Sequence, residues 1–146
     1  MTQIRPLSPA DRDAWRPLWD AYLVFYESEL PGDVTDDVFE RLASGVGLHG
    51  AIAWSDTEQP LGIAHWLFHP STWSRTAYCY LEDLYVAPAA RGLGIGGDLI
   101  AHVRDAAKAE GASKVYWLTH ESNTGAQALY DRVADRTGFI HYQVEV

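Results

Sequence analysis

The chain has 146 residues, 47% of them hydrophobic and 21% charged, the balance of one ordinary folded domain with a core of its own. Its formal net charge is −9, from 20 acidic residues against 11 Lys plus Arg, and it lacks the clustered basic stripe that displaces counterions from nucleic acid. No apolar run approaches the ~20 residues that cross a bilayer, the N-terminus lacks a secretory layout, and a lone cysteine, Cys79, excludes an intramolecular disulfide framework and Cys-rich zinc sites.

A cytoplasmic protein without nucleic-acid, membrane or metal partners is therefore the expectation. In chain order, a short strand is expected at Gln3–Leu7. Ser8 then offers a helix cap, with Pro9 at the first helical position and Asp11 in the first turn. Trp15, Trp19, Tyr22, Leu23 and Tyr26 recur at three- and four-residue spacing, so the first helix buries an aromatic face, with Pro17 bending it or marking where its regular part begins. Pro31-Gly32-Asp33 breaks the chain, and a second short helix is expected over Thr35–Ala43. Leu48–Trp54 and Leu61–Phe68 read as strands joined by the polar turn Ser55–Pro60, and Thr76–Val86 as a longer one.

The next helix opens near Gly94 and sets Ile95, Leu99 and Val103 on one face. It stops at Gly111, which tolerates a left-handed conformation. Val115–Thr119 is the wholly apolar type of strand found inside a sheet. A last helix is expected over Thr124–Ala134 and a final strand over Phe139–Val144. The order implies an α/β fold of residues 1–146, a single domain with a mixed, mostly antiparallel sheet flanked by helices. The sheet turns parallel where the Val115 strand is reached through a helix.

Between the long strand and that helix lies Arg91-Gly92-Leu93-Gly94-Ile95-Gly96-Gly97. Glycines let backbone approach a ligand closely, and a helix start presents unpaired N–H groups and about half a positive charge. Together they form an anion site suited to a pyrophosphate, with Arg91 beside it. Gly92-x-Gly94-x-x-Gly97, with Glu121 beyond it, also satisfies a dinucleotide fingerprint. That fingerprint belongs after the first strand of a parallel sheet, whereas several strands precede this loop. A P-loop is excluded because no Gly-Lys-Ser/Thr follows.

Arg91-Gly92-Leu93-Gly94-Ile95-Gly96 resembles the Arg/Gln-x-x-Gly-x-Gly/Ala acetyl-CoA motif of the GNAT N-acetyltransferase superfamily. The preceding Tyr80–Pro88 strand is similar to the family's, as are Trp117–Asn123 and Ala128-Leu129-Tyr130 downstream. The segment between Tyr130 and Gly138-Phe139 is longer than in most members, and in this the chain resembles the histone and polyamine acetyltransferase-like subgroup.

The resemblance implies acetyl-CoA as cofactor, a small-molecule amine as partner, and a homodimer as in many members. It places Tyr130 beside the cofactor sulfur as general acid and has Asn123 touch the pantetheine arm. Leu84, Tyr85 and Val86 would bind the acetyl carbonyl and that arm through their backbone, in the manner of an added strand.

Acetyl transfer to an amine needs a proton acceptor, because an aliphatic amine with a pKa near 10.4 arrives protonated. Glu82 and Asp83 interrupt an apolar strand just before the cofactor loop, and alternation lets only one of them face a given side. The subgroup's matching Leu-Glu-Asp triplet favours Glu82 as base, with Asp83 at the substrate. His120, at the end of the next strand, is the fallback. Seven acids and no Lys or Arg lie between Pro17 and Glu40, an acidic rim suited to a cationic acceptor. Glu27, Glu29 and Tyr26 are the expected contacts, with Tyr22, Phe25 and Trp73 as further aromatic faces. The residues leave the acceptor open between a polyamine or other basic small molecule and a lysine-rich tail. A module that binds acyl-CoA without turnover is the alternative from another class.

Overall fold

The computed structural model describes residues 2–146 and orders its elements as the hydrophobic patterning requires. Strand β1 (Gln3–Pro6) leads through a 3-10 turn (Pro9–Asp11) into α1 (Arg12–Phe25) and α2 (Gly32–Ser44). Three strands follow, β2 (His49–Trp54), β3 (Pro60–Pro70) and β4 (Ala77–Val86), then α3 (Ile95–Ala109), β5 (Lys114–Tyr116) and α4 (Thr124–Val133). The five strands lie in sequence order, antiparallel from β1 to β4 and parallel between β4 and β5. The mixed, mostly antiparallel sheet expected from the sequence is thus present.

Each face of the sheet buries its own core. On one side, Trp15 and Trp19 of α1 and Phe39 and Leu42 of α2 pack on Ile52, Trp54, Ile63 and Tyr85. On the other, Ile95, Leu99, Val103 and Ala107 of α3 pack on Ala51, Ala53, Ala64, Trp66, Cys79 and Leu81. Small residues in the centre of β2 and β3 let α3 approach the sheet, and the alternation of small with large side chains fills both layers. No helix among the described residues is long and apolar enough to cross a membrane.

Three expectations require correction. The second helix starts at Gly32 rather than Thr35, because Pro31 caps it: Val34 and Thr35 both donate to the Pro31 carbonyl. The strand expected over Val115–Thr119 ends at Tyr116, because its partner β4 diverges after Tyr80 and leaves nothing to pair with. The final strand expected over Phe139–Val144 does not form. Residues 135–146 are exposed throughout, and their hydrogen bonds stay within the segment, Phe139 N–H to Thr137 and Gln143 to Glu145.

Candidate active site

The site is built where the sheet opens. The parallel β4–β5 ladder runs Tyr78–Lys114, Cys79–Val115, Tyr80–Tyr116 and stops. Beyond it β4 continues to Val86, paired only with β3, so the edge of Leu81–Val86 that faces β5 is open. The wedge is lined by Tyr22 of α1 and Tyr26 at its C-terminal cap, Leu81, Glu82 and Leu84 of β4, Trp117 and Leu118 after β5, and Tyr130 of α4.

Next to the wedge lies the glycine loop. Gly92 and Gly94 both adopt φ near +80°, and a Cβ on either would meet nothing within 4 Å. The turn they form aims the start of α3 outward. Arg91 N–H bonds to Pro88 and Asp98 N–H to Gly94. Among the described residues, the six amides of 92–97 between them find no acceptor in the chain. Six successive donors at the N-terminus of a 15-residue helix form a concave anion cradle. A pyrophosphate fits it in charge and in the space the missing side chains leave. The Arg91 guanidinium is anchored at the rim by donating Nε–H to the Val86 carbonyl at 3.2 Å, 5.8 Å from the Tyr85 ring centre.

The two carboxylates of β4 divide differently from strict alternation. Asp83 pairs with His65 and Leu81 with Trp66 across the β3–β4 ladder, so Glu82 is an extra residue, a β-bulge. Asp83 turns into the protein. Its Oδ1 accepts from the Tyr22 hydroxyl at 2.6 Å, and its Oδ2 lies 2.9 Å from His65 Nδ1. His65 Nε2 in turn lies 2.9 Å from Trp15 Nε1, a group that can only donate. That bond makes Nε2 the acceptor and leaves the His65 proton on Nδ1, donated to Asp83. Burial, then the charge and hydrogen bond of Asp83, push the Tyr22 phenol far above its ordinary range. Glu82 remains in the wedge, where burial first and the neighbouring Asp83 second raise its pKa.

Tyr130 faces Glu82 across the wedge from α4, its ring packed edge-on to Trp117 at 5.4 Å. Burial and the neighbouring Tyr26 push the phenol up to about 12. No side chain or backbone group among the described residues bonds its hydroxyl, which is therefore available to a ligand. Asn123 caps α4, its Oδ1 accepting from Ala126 N–H and its Nδ2 donating to Thr119, both at 3.4 Å.

Of the residues singled out from sequence, Glu82, Leu84, Tyr26 and Tyr130 converge on one wedge, with Arg91–Gly97 beside it. Glu27 and Glu29 follow the end of α1 as exposed residues outside the wedge lining. His120 also stands outside it, its Nδ1 accepting from the Ser122 hydroxyl at 2.6 Å in the turn before α4. The acidic rim is partly neutralised by arginines outside the stretch that holds it: Asp20 pairs with Arg16, Asp36 with Arg12, Asp37 with Arg41. His65 was missed. Its signal was present in Ile63-Ala64-His65-Trp66, a single polar residue in an apolar run, but only the fold shows that it faces Asp83.

Residues 12–134 match the model of the family described as Acetyltransferase (GNAT). The chain is 36% identical over 142 residues to the D-amino-acid N-acetyltransferase of Saccharomyces cerevisiae, covering 96% of this chain and 88% of that one. It is 34% identical over 86 residues to the thialysine N-epsilon-acetyltransferase of Caenorhabditis elegans, covering 59% of this chain and 52% of that protein. Among solved structures, AAC(6')-Iy in complex with a CoA-containing bisubstrate analog superposes with a TM-score of 0.87 at 20% identity, covering 100% of this chain and 99% of that one.

Proposed function

The chain belongs to the acetyltransferase (GNAT) family, and from that premise we propose that it moves the acetyl group of acetyl-CoA onto the primary amine of a cationic small molecule such as a polyamine. N-acetyl transfer from acetyl-CoA is the activity of the family; the acceptor and the roles of individual residues are the proposal. The observation that carries it is the lining of the wedge. Four aromatic rings, Tyr22, Tyr26, Trp117 and Tyr130, line it together with Glu82, the one charged side chain among the lining residues. Aromatic faces beside a carboxylate attract an ammonium; no Lys or Arg is among the lining residues, and Arg41, whose charge reaches Glu82, is paired with Asp37.

Acetyl-CoA, when bound, supplies a thioester-activated acetyl group. The six open amides of 92–97, with Arg91 at their rim, hold its pyrophosphate. The open edge of Leu84–Val86 receives the pantetheine arm as a strand is received by a sheet, and Asn123 reaches the arm from the start of α4. Glu82 takes the proton of the acceptor ammonium, directly or through water. Its raised pKa makes it a stronger base than a free carboxylate.

Tyr130 Oη gives a proton to the departing sulfur. With the phenol at about 12, transfer to a free thiolate near 8.5 is uphill by roughly 3.5 units, about 5 kcal/mol. Proton transfer must therefore accompany loss of the thiolate rather than precede it. Asp83, held by Tyr22 and His65, fixes the Tyr22 ring at the wedge and adds negative potential behind Glu82.

A second reading, transfer to the α-amine of an amino acid, is favoured by the similarity to the yeast D-amino-acid enzyme. A thiol-release assay with acetyl-CoA separates the two. The panel is spermidine, spermine, aminoglycosides, lysine peptides, and D- and L-amino acids. Highest kcat/KM with spermidine or spermine is expected; turnover confined to amino acids overturns the cationic acceptor. Tight acetyl-CoA binding without CoA release on any amine would instead make the chain an acyl-CoA-binding module.

A further inference from the structure

Glu82 and Asp83 are neighbours on one strand, and a carboxylate at either position could take a proton from an amine in the wedge. What separates them lies outside the wedge, at His65. His65 sits in the middle of β3, 3% exposed, opposite Asp83 in the β3–β4 ladder and opposite Gly50 in the β2–β3 ladder. Its ring is walled in. The Trp15 and Trp19 rings of α1 lie 6.0 and 5.4 Å from it, centre to centre, and its Cδ2 edge would be 3.4 Å from a Cβ on Gly50. A side chain so enclosed keeps one orientation. In that orientation both nitrogens are engaged, Nε2 accepting from Trp15 and Nδ1 donating to Asp83.

Asp83 depends on that donor. Two side chains reach its carboxylate, Tyr22 at Oδ1 and His65 at Oδ2, and Asp83 is not among the residues that line the wedge. A buried carboxylate oxygen that loses its donor must find another. The remaining groups that face the two carboxylates do not replace His65. Tyr80 on β4 and Tyr26 at the end of α1 feel their charge but, among the described residues, donate to neither. Arg41 of α2 is paired with Asp37, and the Tyr130 hydroxyl, across the wedge, bonds to neither carboxylate.

We propose that His65 is a positioning residue for acetyl transfer: by holding Asp83 out of the wedge, it leaves Glu82 as the one carboxylate that meets the acceptor ammonium. Trp15 is part of the device. Its indole N–H can only donate, so it commits Nε2 as acceptor and keeps the His65 proton on the Asp83 side. Loss of the Nδ1 donor frees Asp83 to turn into the wedge. A second carboxylate there competes for the ammonium and draws it off the line between the thioester and Glu82. Tyr22, whose hydroxyl Asp83 holds, loses its anchor in the same event. His65 makes and breaks no bond of the reaction; it reaches the reacting groups through Asp83. The role stands on Glu82 being the base proposed above.

His65→Asn and His65→Gln separate the two bonds. The Asn amide stands where Nδ1 stands and can still donate to Asp83, whereas the Gln carbonyl reaches the place of Nε2 and can still accept from Trp15. Each variant loses one buried hydrogen bond, so urea unfolding should show both midpoints lowered alike. Initial rates with acetyl-CoA and spermidine, or with the best amine of the panel if spermidine is inert, should differ. kcat is expected within about three-fold of wild type for Asn and at least ~10-fold lower for Gln, the size of effect a misplaced reacting group produces. KM for acetyl-CoA should hold in both, because the cradle is untouched. In the His65→Gln background, Glu82→Gln should cost at least ~10-fold less than in the wild-type chain, because Asp83 already competes there. Equal kcat for the Asn and Gln variants overturns the proposal, as does a full cost of Glu82→Gln in the His65→Gln background. If His65→Gln does not fold, Asp83→Asn decides. The acid limb of kcat/KM should then move to lower pH, because the Asp83 charge no longer raises Glu82, and an unmoved limb means that nothing passes from Asp83 to Glu82. Full activity of Glu82→Gln in the wild-type chain overturns the reading of Glu82 as base and this role with it, whereas the Asn–Gln comparison overturns the role of His65 alone.

Discussion

Glu82 reaches the wedge because β4 carries one residue more than β3 between Leu81 and Asp83. This places two adjacent carboxylates in different surroundings, Glu82 in the wedge and Asp83 against Tyr22 and His65. As the proposed base, Glu82 acts only when ionised, and its pKa is raised by burial and by Asp83. Proton-acceptor activity is therefore full above that raised pKa and lost as the pH falls through it, higher than for a free carboxylate near 4.3. kcat/KM against pH should show an acid limb that Glu82→Gln abolishes together with most of the activity. An acid limb surviving in the Gln variant would assign the titration to another group. Tyr130→Phe should lower kcat by ten-fold or more, on the order of 10²–10⁴ if acid catalysis is fully lost, with KM for acetyl-CoA little changed. Unchanged kcat at saturation removes Tyr130 from the mechanism. His65→Leu strips Asp83 of one partner and leaves Trp15 Nε1–H without an acceptor in a buried site. A loss of roughly 3 kcal/mol in urea unfolding is expected, the cost of breaking a buried polar pair. The type of each residue at the site was legible from the sequence. The pairing of Asp83 with His65 was not, because a bulge leaves no mark in composition or period, and the partner lies 18 positions away.

At the scale of elements, the helices and the first four strands were readable because each carries its own period and its own stop signal. Trp15 and Trp19 fall on one helical face, and Gly111 closes α3. What failed was pairing. The Val115 strand is cut to three residues, and the Phe139 strand is absent, because a strand exists only where another offers a ladder. The sequence has the alternation in both places but cannot say whether a neighbour is there. The same shortening of β5 makes the site, since a full-length β5 would close the edge of Leu81–Val86. The cradle depends likewise on element geometry: Gly94 at φ +81° turns the loop so that the α3 amides point outward. Gly94→Ala forces a left-handed alanine at about 1–2 kcal/mol, and relaxing that strain tilts the amides away from the pyrophosphate. KM for acetyl-CoA should rise at least ~10-fold by initial-rate kinetics, with kcat at saturation retained. An unchanged KM would show that the cradle does not bind the donor.

The whole molecule sets one further condition on the proposed reaction, because a cationic acceptor and acetyl-CoA carry opposite charge. At −9 net the protein attracts a cationic amine and repels the pyrophosphate of acetyl-CoA. On the proposed reading the donor is held by a local field, the α3 amides and Arg91, that acts over a few ångströms in spite of the global one. Long-range steering is screened by salt, and short-range contacts much less so. The Debye length falls from ~30 Å at 0.01 M to ~8 Å at 0.15 M. Over that range kcat/KM for spermidine should fall by about three- to ten-fold, the signature of electrostatically assisted encounter. The same parameter for a small monoamine should change less than two-fold, in proportion to its smaller charge. KM for acetyl-CoA should fall or hold steady, because added salt weakens the repulsion by the acidic body more than it weakens the grip of the cradle. Initial rates at fixed pH across this salt range, with one substrate saturating and the other varied, read both trends. A spermidine kcat/KM indifferent to salt would mean that the carboxylates do not act on the acceptor at a distance. Recognition of the amine would then rest on the rings of Tyr22, Tyr26, Trp117 and Tyr130 and on contact with Glu82 alone.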